Sequence, residues 1–317
     1  MPPPLIAVAR HAMATRFEIV LHGENAVALR AAGEEALNEV ERIEAQLSLY
    51  RPTSEIARVN ARGAHEPVRV SPEVFRLIEQ AHQLWSETGG AFDISIGPLV
   101  RCWGFMGGTG QMPTAEALAE ARAKVGMNLI QLDSERLTVS FLREGAVLDL
   151  GAIGKGHAVA CAAELLREAG IASALIHGGT STIYAIGHPP QEEAWKVAIE
   201  RPLESGEEAQ RPLAIVPLTD EALSVSAIWG RSFQSAHKTY GHVIDPRTGQ
   251  PCEKALLAVV ILPSAAETDA LSTALLTLGF EGHDSIAHLR PGMRTLLVNR
   301  SDQGQLRVEA RGVPFLE

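Results

Sequence analysis

The stretch "LDLGAIGKGHAVA" (148–160) sets Asp149 and Lys155 among Gly151, Gly154 and Gly156, between two apolar runs. Lysine beside glycines is phosphate-binding chemistry: backbone N–H groups at a helix N-terminus, with an ammonium next to them, suit an anion. The spacing matches neither GxxxxGK[ST] nor GxGxxG, so the standard nucleotide loops are excluded here. Two readings remain on the residues alone. One is a backbone cradle opening a helix near Lys155; the other is a tight strand–helix turn with Lys155 on the surface.

Three further stretches carry usable groups. In "YGHVIDPRTGQP" (240–251) a strand ending at His242 puts an imidazole at a sheet rim, where a general base is useful. Asp245 and Arg247 can equally do no more than close and neutralise an Asx-turn. In "ETDALSTALLTLG" (267–279) Asp269 and Thr273 stand at i and i+4, so a helix projects both oxygens from one face. With a carbonyl and waters they suit Mg²⁺, which takes hard oxygen ligands. The alternative is a helix-N-terminal acid and a threonine bonded back to its own turn. In "TGGAFDISIGPLVRCWGF" (88–105) the double glycine allows close backbone approach before Ala91, Phe92 and Asp93, and Phe92 either stacks on a ligand or packs in the core.

These groups need elements to hold them. "RFEIVLHG" alternates as a strand ending at Gly23, and residues 25–47 repeat Leu29, Gly33, Ala36, Val40, Ile43 and Leu47 at helical spacing. Pro52 and polar neighbours predict a loop over "LSLYRPTSEIARVN". Ser71-Pro72-Glu73 starts a second helix that buries Phe75, Ile78 and Leu84, with Trp85 beside them, and stops at Gly89-Gly90. "NLIQLD", "RLTVSF" and "AVLDL" read as short strands of a meander, followed by a helix over 155–169. "SALIHGG", "STIYAIG" and "WKVAIE" read as strands, "RPLESGEEAQRP" (201–212) as a solvated loop, and 268–278 as a helix. Helices flanking antiparallel strand groups make the expected class α+β.

Composition narrows the chemistry. The chain has 317 residues, 46% hydrophobic and 21% charged, which fits a folded enzyme rather than a disordered chain. A net charge of −10 argues against nucleic acid as a partner. Cys102, Cys161 and Cys252 are far apart and form no CxxC pair or zinc-type Cys/His spacing, so they read as small buried hydrophobes. None of the eleven histidines makes an HxH or HExxH pattern. The N-terminus shows no basic region before an apolar stretch, no lipidation cysteine and no membrane span. The expectation is a cytoplasmic protein, or an exported one if an export segment lies outside this sequence.

Taken in order, "MATRFEI", "LSLYRPTSEIARVN", "GGAFDISIGPLVRCWGF", "LDLGAIGKG", "HVIDPRTG" and "DALSTALLTLG" closely resemble the ApbE family of FAD:protein FMN transferases, from about Met13 to Gly279. The resemblance implies an α+β architecture related to the tunnelling fold. It would form a single unit of two interleaved lobes over 5–317, after a tail at 1–4, with FAD in the cleft between the lobes. It implies a Mg²⁺-dependent reaction in which the FMN half of FAD moves to a Thr or Ser hydroxyl of an acceptor flavoprotein and AMP leaves. FAD pyrophosphatase activity, or FAD binding without turnover, are the alternatives.

Carried over to this chain, the resemblance places FAD contacts at Met13, Tyr50, Ala91, Phe92, Asp93, Asp149, Lys155 and Val243. It places the metal at the Ala152 carbonyl, Asp269 and Thr273, with Ser272 as a further candidate. His242 is the expected proton acceptor. The chain departs from the family pattern in four places. "MGT" is Met13-Ala14-Thr15; "KGYAVD" becomes Lys155-Gly156-His157-Ala158-Val159-Ala160; "IHGGTSTIYAIG" carries His177 and Thr180; and Ser226-Ala227 replaces Ser-Gly.

Overall fold

The computed structural model describes residues 4–202, 211–235, 238–301 and 303–315. Most of the expected 201–212 loop, and residues 1–3 of the expected tail, lie outside the described residues. A central sheet of eight strands runs in chain order: Leu5–Ala12, Thr15–His22, Ala174–Gly178, Thr182–Ile186, Ala222–Ala227, Leu257–Leu262, Arg294–Arg300 and Leu306–Arg311. Every neighbouring pair is antiparallel. The class is therefore α+β, as the alternating strand patterns predict.

Side-chain alternation divides the core in two. In the Leu257–Leu262 strand, Ala258, Val260 and Leu262 face a large core shared with the helices. Leu257, Val259 and Ile261 face a second core closed by the hairpin of Trp195–Ile199 and Ala214–Leu218. Burial on both faces explains why this strand is apolar throughout rather than alternating.

The helical layer comes mainly from the long insertion between the second and third strands. The Ala26–Leu47 helix is capped by Asn25, whose side chain accepts from the Val27 and Ala28 N–H groups at 3.0 and 3.1 Å. Its predicted apolar stripe is buried, with Leu37 added. The Pro72–Glu87 helix starts at the Ser71 cap as expected.

Three expectations change. "LSLYRPTSEIARVN" runs into the Glu55–Arg62 helix, because Ser54 caps the Ala57 N–H at 2.9 Å and Pro52 lies before the helix rather than in it. "AVLDL" is not a strand: only Val147 bridges, to Ile96. The Asn60 side chain takes the place of a ladder partner, accepting from the Leu148 N–H at 2.7 Å and donating to its carbonyl at 2.9 Å. The helix expected at 268–278 begins at Ala265, three residues earlier, behind a Ser264 cap. Among the described residues no helix is long and apolar enough to cross a membrane.

Candidate active site

The Gly154–Glu168 and Ala265–Leu278 helices meet at Gly156. A Cβ there would stand 2.2 Å from the Ala265 carbonyl oxygen and 2.8 Å from Asp269 Cβ, so only glycine fits. The buried Gly156 N–H donates to Asp269 Oδ2 at 2.9 Å. The hydrogen-bonded helix starts at Gly154, and this N–H is directed to Asp269 rather than back to Ala152. The Ala152 carbonyl is left without that donor. By contrast, a Cβ on Gly154 would meet only ordinary contacts, the nearest at 3.7 Å.

Ser272 and Thr273 both bond back to the Asp269 carbonyl, at 3.0 and 3.3 Å, which is the local pattern expected of helical hydroxyls. Ser226 Oγ lies 2.8 Å from the Ser272 hydroxyl and 3.1 Å from that of Thr273, tying the helix to the central sheet. Asp269, Thr273 and Ala152 line one large cavity. Ser272 is fully buried and is not among its lining residues, so it stands behind the other donors. A carboxylate, a hydroxyl and a carbonyl that accepts no hydrogen bond among the described residues form an all-oxygen set, and that chemistry fits Mg²⁺.

The cavity has a volume of about 990 Å³. That is at the upper end of the range for small-molecule and cofactor sites, which is about 300–1,000 Å³. Tyr50, Ala91, Phe92, Asp93, Asp149, Lys155, His242 and Val243 all line it. Met13 is absent from its lining. It occupies the two-residue turn of the first hairpin, at φ 50°, and packs against the main core. Phe92 is 1% exposed and belongs to the core while bordering the cavity; Tyr50, 65% exposed, is the aromatic ring most open to solvent on this wall.

Charge in the cavity is mixed. Burial pushes the Asp93 carboxyl up to about 6, although Ser95 donates to it from both backbone and hydroxyl, at 2.7 and 2.6 Å. Burial also raises Asp149, whose Oδ1 accepts the Gly151 N–H at 2.9 Å, while Arg231 and Lys155 favour its charged form. Lys155 Nζ sits 3.3 Å from the Gly151 carbonyl. Lys155, Lys196 and Arg231 line the cavity, Lys196 with its ammonium paired to Glu192 at 2.7 Å.

His242 follows the Lys238–Gly241 strand. Its Nδ1 lies 3.2 Å from the Arg231 carbonyl, which can only accept, so Nδ1 carries the proton and the Nε2 lone pair is free. Burial lowers the imidazole pKa below its ordinary value, and the Arg231 and Lys155 charges act in the same direction. A neutral imidazole with a free Nε2 can act as a base. The following turn is structural: Arg247 pairs bidentately with Asp245 at 2.9 and 2.7 Å, and Asp245 also accepts the Arg247 N–H. That turn docks on "GPLVRCWGF", where Trp103 Nε1 donates to the Gly249 carbonyl at 2.8 Å and the Trp103 ring packs on Tyr240.

The sequence-based reading overlooked Arg231 and Lys196. Arg231 does double duty, since its guanidinium also donates to the Phe105 and Gly108 carbonyls and so holds the cavity wall. Its hold on His242 runs through a main-chain carbonyl, which leaves no residue-type signal. Lys196 stands in a strand whose partner is known only from the fold.

A family model described as "ApbE family" matches residues 13–297. The chain belongs to the ApbE family. It is 30% identical over 310 residues to the FAD:protein FMN transferase of Haemophilus influenzae, covering 95% of this chain and 88% of the relative. It is 32% identical over 265 residues to that of Salmonella typhimurium, covering 81% and 74%. The flavin transferase ApbE from Vibrio cholerae superposes with a TM-score of 0.85 at 27% identity, over 98% of both chains. The apo flavinyl transferase ApbE of Pseudomonas stutzeri gives 0.85 at 29% identity, over 98% of this chain and 96% of that one.

The departures from the ApbE pattern separate in space. His177, Thr180 and Ala227 line the cavity. His157 and Ala160 do not; they line a different groove, facing the Pro72–Glu87 helix.

Proposed function

We propose that this ApbE-family chain transfers the FMN half of FAD to a Thr or Ser hydroxyl of an acceptor protein, with Mg²⁺ held by the Ala152 carbonyl, Asp269 and Thr273, and releases AMP. The observation that carries the proposal is the tautomer of His242. Its Nδ1–H is fixed on the Arg231 carbonyl, so a basic Nε2 is available in the cavity that Asp269, Thr273 and Lys155 also line. The relatives' shared name, FAD:protein FMN transferase, supports the reaction class.

In this reading Lys155 and Arg231 attract the pyrophosphate, and the bulk of the dinucleotide fills the cavity. Phe92 and Tyr50 supply apolar and aromatic surface at its wall. Mg²⁺ held by the Ala152 carbonyl, Asp269 and Thr273 would supply charge neutralisation for the pyrophosphate. His242 Nε2 takes the proton of the acceptor hydroxyl as its oxygen bonds to the FMN phosphorus, and the bond from that phosphorus to the AMP phosphate breaks.

The test incubates the protein with FAD, Mg²⁺ and a flavoprotein acceptor while AMP and the acceptor's mass are followed. The expected result is AMP together with an acceptor heavier by one FMN less the elements of water. AMP with free FMN would instead mean hydrolysis, and FAD retained without AMP would mean a binding protein. His242→Ala is expected to lower transfer by about 10²–10⁴-fold with FAD still bound. Transfer at the wild-type rate in that variant would remove His242 from the mechanism.

A further inference from the structure

The Gly154–Glu168 helix carries a second cluster, in a groove that shares no lining residue with the cavity. His157 and Cys161 stand one turn apart on it, and Glu73 reaches them from the first turn of the Pro72–Glu87 helix. His157 Nε2 lies 3.2 Å from Glu73 Oε1 and 3.8 Å from Cys161 Sγ; Sγ lies 3.7 Å from the same Glu73 oxygen. The His157 and Glu73 side chains are 17% and 24% exposed, so solvent reaches them.

Cysteine, histidine and acid together suggest two chemistries, and geometry separates them. A nucleophile–base–acid triad uses both imidazole nitrogens, one toward the thiol and one toward the acid. Here thiol and acid both meet Nε2, so the acid cannot orient the ring from its far side. Three donor atoms around a common point are instead the layout of a metal site. Zinc bonds of about 2.0–2.2 Å to nitrogen and oxygen and about 2.3 Å to sulfur place tetrahedral corners about 3.3–3.7 Å apart. The observed separations of 3.2, 3.7 and 3.8 Å fit with little movement.

We propose that Glu73, His157 and Cys161 bind a divalent cation of the zinc class, with water completing the tetrahedron. The site has supports of the kind metal ligands need. Arg42 donates to both Glu73 oxygens, at 3.1 and 2.8 Å, and is itself held by Glu39. Glu39, Glu164 and Glu168 line the same groove against a single lining cation among the described residues, Arg76, and the acidic balance favours a cation. Mixed nitrogen, sulfur and oxygen donors select a borderline-soft ion over magnesium. On binding, the Cys161 S–H bond breaks, its proton passes to water and a metal–sulfur bond forms, with no change of oxidation state. The ion would clamp the helix bearing Lys155 to the Pro72–Glu87 helix. The inference is independent of flavin transfer.

The test titrates the whole protein, in excess Mg²⁺, with Co²⁺ as a spectroscopic stand-in and then with Zn²⁺. Among the described residues only Cys161 of the three cysteines stands in a cluster of this kind, so a thiolate-to-cobalt charge-transfer band that is lost in Cys161→Ser reports on this groove. The expected result is a band saturating at one equivalent, displaced by Zn²⁺ and absent in Cys161→Ser. Zinc affinity should fall about 100-fold in Cys161→Ser and at least about 10-fold in Glu73→Gln. If Cys161→Ser fails to fold by circular dichroism, His157→Gln provides the same comparison. No band, a band that survives loss of its ligands, or zinc affinity unchanged in these variants would overturn the proposal.

Discussion

The Gly154–Glu168 helix, which also packs on the Ala26–Leu47 helix, meets two of its neighbours in opposite ways. Against Ala265–Leu278 it offers backbone at one point: the Gly156 N–H bonds Asp269, and there the two helices approach too closely for a side chain at position 156. Against Pro72–Glu87 it offers side chains, with His157 and Cys161 reaching Glu73 across a groove open to solvent. A backbone contact admits one residue type, because nothing can shift to accommodate a Cβ. A side-chain contact admits several, because rotamers and water adjust. The departures at His157 and Ala160 fall on the tolerant side, away from the cavity.

This contrast can be broken by measurement, beginning where the largest effect is expected. Gly156→Ala should cost about 3 kcal/mol or more in denaturant unfolding, through overpacking and loss of a hydrogen bond to a carboxylate. It should also abolish transfer. Stability near wild type would show that the two helices can separate, and that the contact is not the fixed one described here.

Asp93 tests the same idea in the cavity wall. Its folded-state pKa, about 6, lies above the usual 3.8, so the folded state holds this proton to higher pH than the unfolded chain does. The charged form therefore lowers stability above pH 6, and the cost disappears below about pH 4. Asp93→Asn should gain about 3 kcal/mol at pH 7 and well under about 1 kcal/mol at pH 4. An equal gain at both pH values would mean that packing, not charge, is responsible.

A smaller gain is expected at the first hairpin. Ala14 sits at φ 58° in a two-residue turn that requires left-handed backbone, where the family pattern has glycine. Ala14→Gly should add about 1 kcal/mol to the unfolding free energy. The least effect is expected from His157→Gln without added metal: less than about 1 kcal/mol, as for partly exposed ion pairs, and unchanged transfer. A large loss of transfer there would join the two faces of the helix functionally.

Much of the site was legible because its residue types are chemically distinctive. Lys155, His242 and the Asp269/Thr273 pair could be named from type and spacing, and the resemblance joined them into one cleft. The structure leaves two of the named residues outside that cavity's lining: Met13 in a hairpin turn and Ser272 behind Thr273. Spacing alone could not separate Ser272 from Thr273, since adjacent helical positions both point near the sheet. "AVLDL" misled because apolar residues look alike in a strand and in an extended segment held by one Asn60 side chain.

By itself, the sequence determined the alternating and helical periods, the Ser71 cap, the α+β class and the family. Each depends on near neighbours or on the order of motifs along the chain. Only the tertiary structure decided which glycine in "GAIGKG" is required, which imidazole nitrogen of His242 is free, and that Glu73 meets His157 and Cys161. Those outcomes depend on groups brought together from distant parts of the chain. Gly156 and Asp269, 113 residues apart, are joined by a single hydrogen bond that neither segment specifies alone.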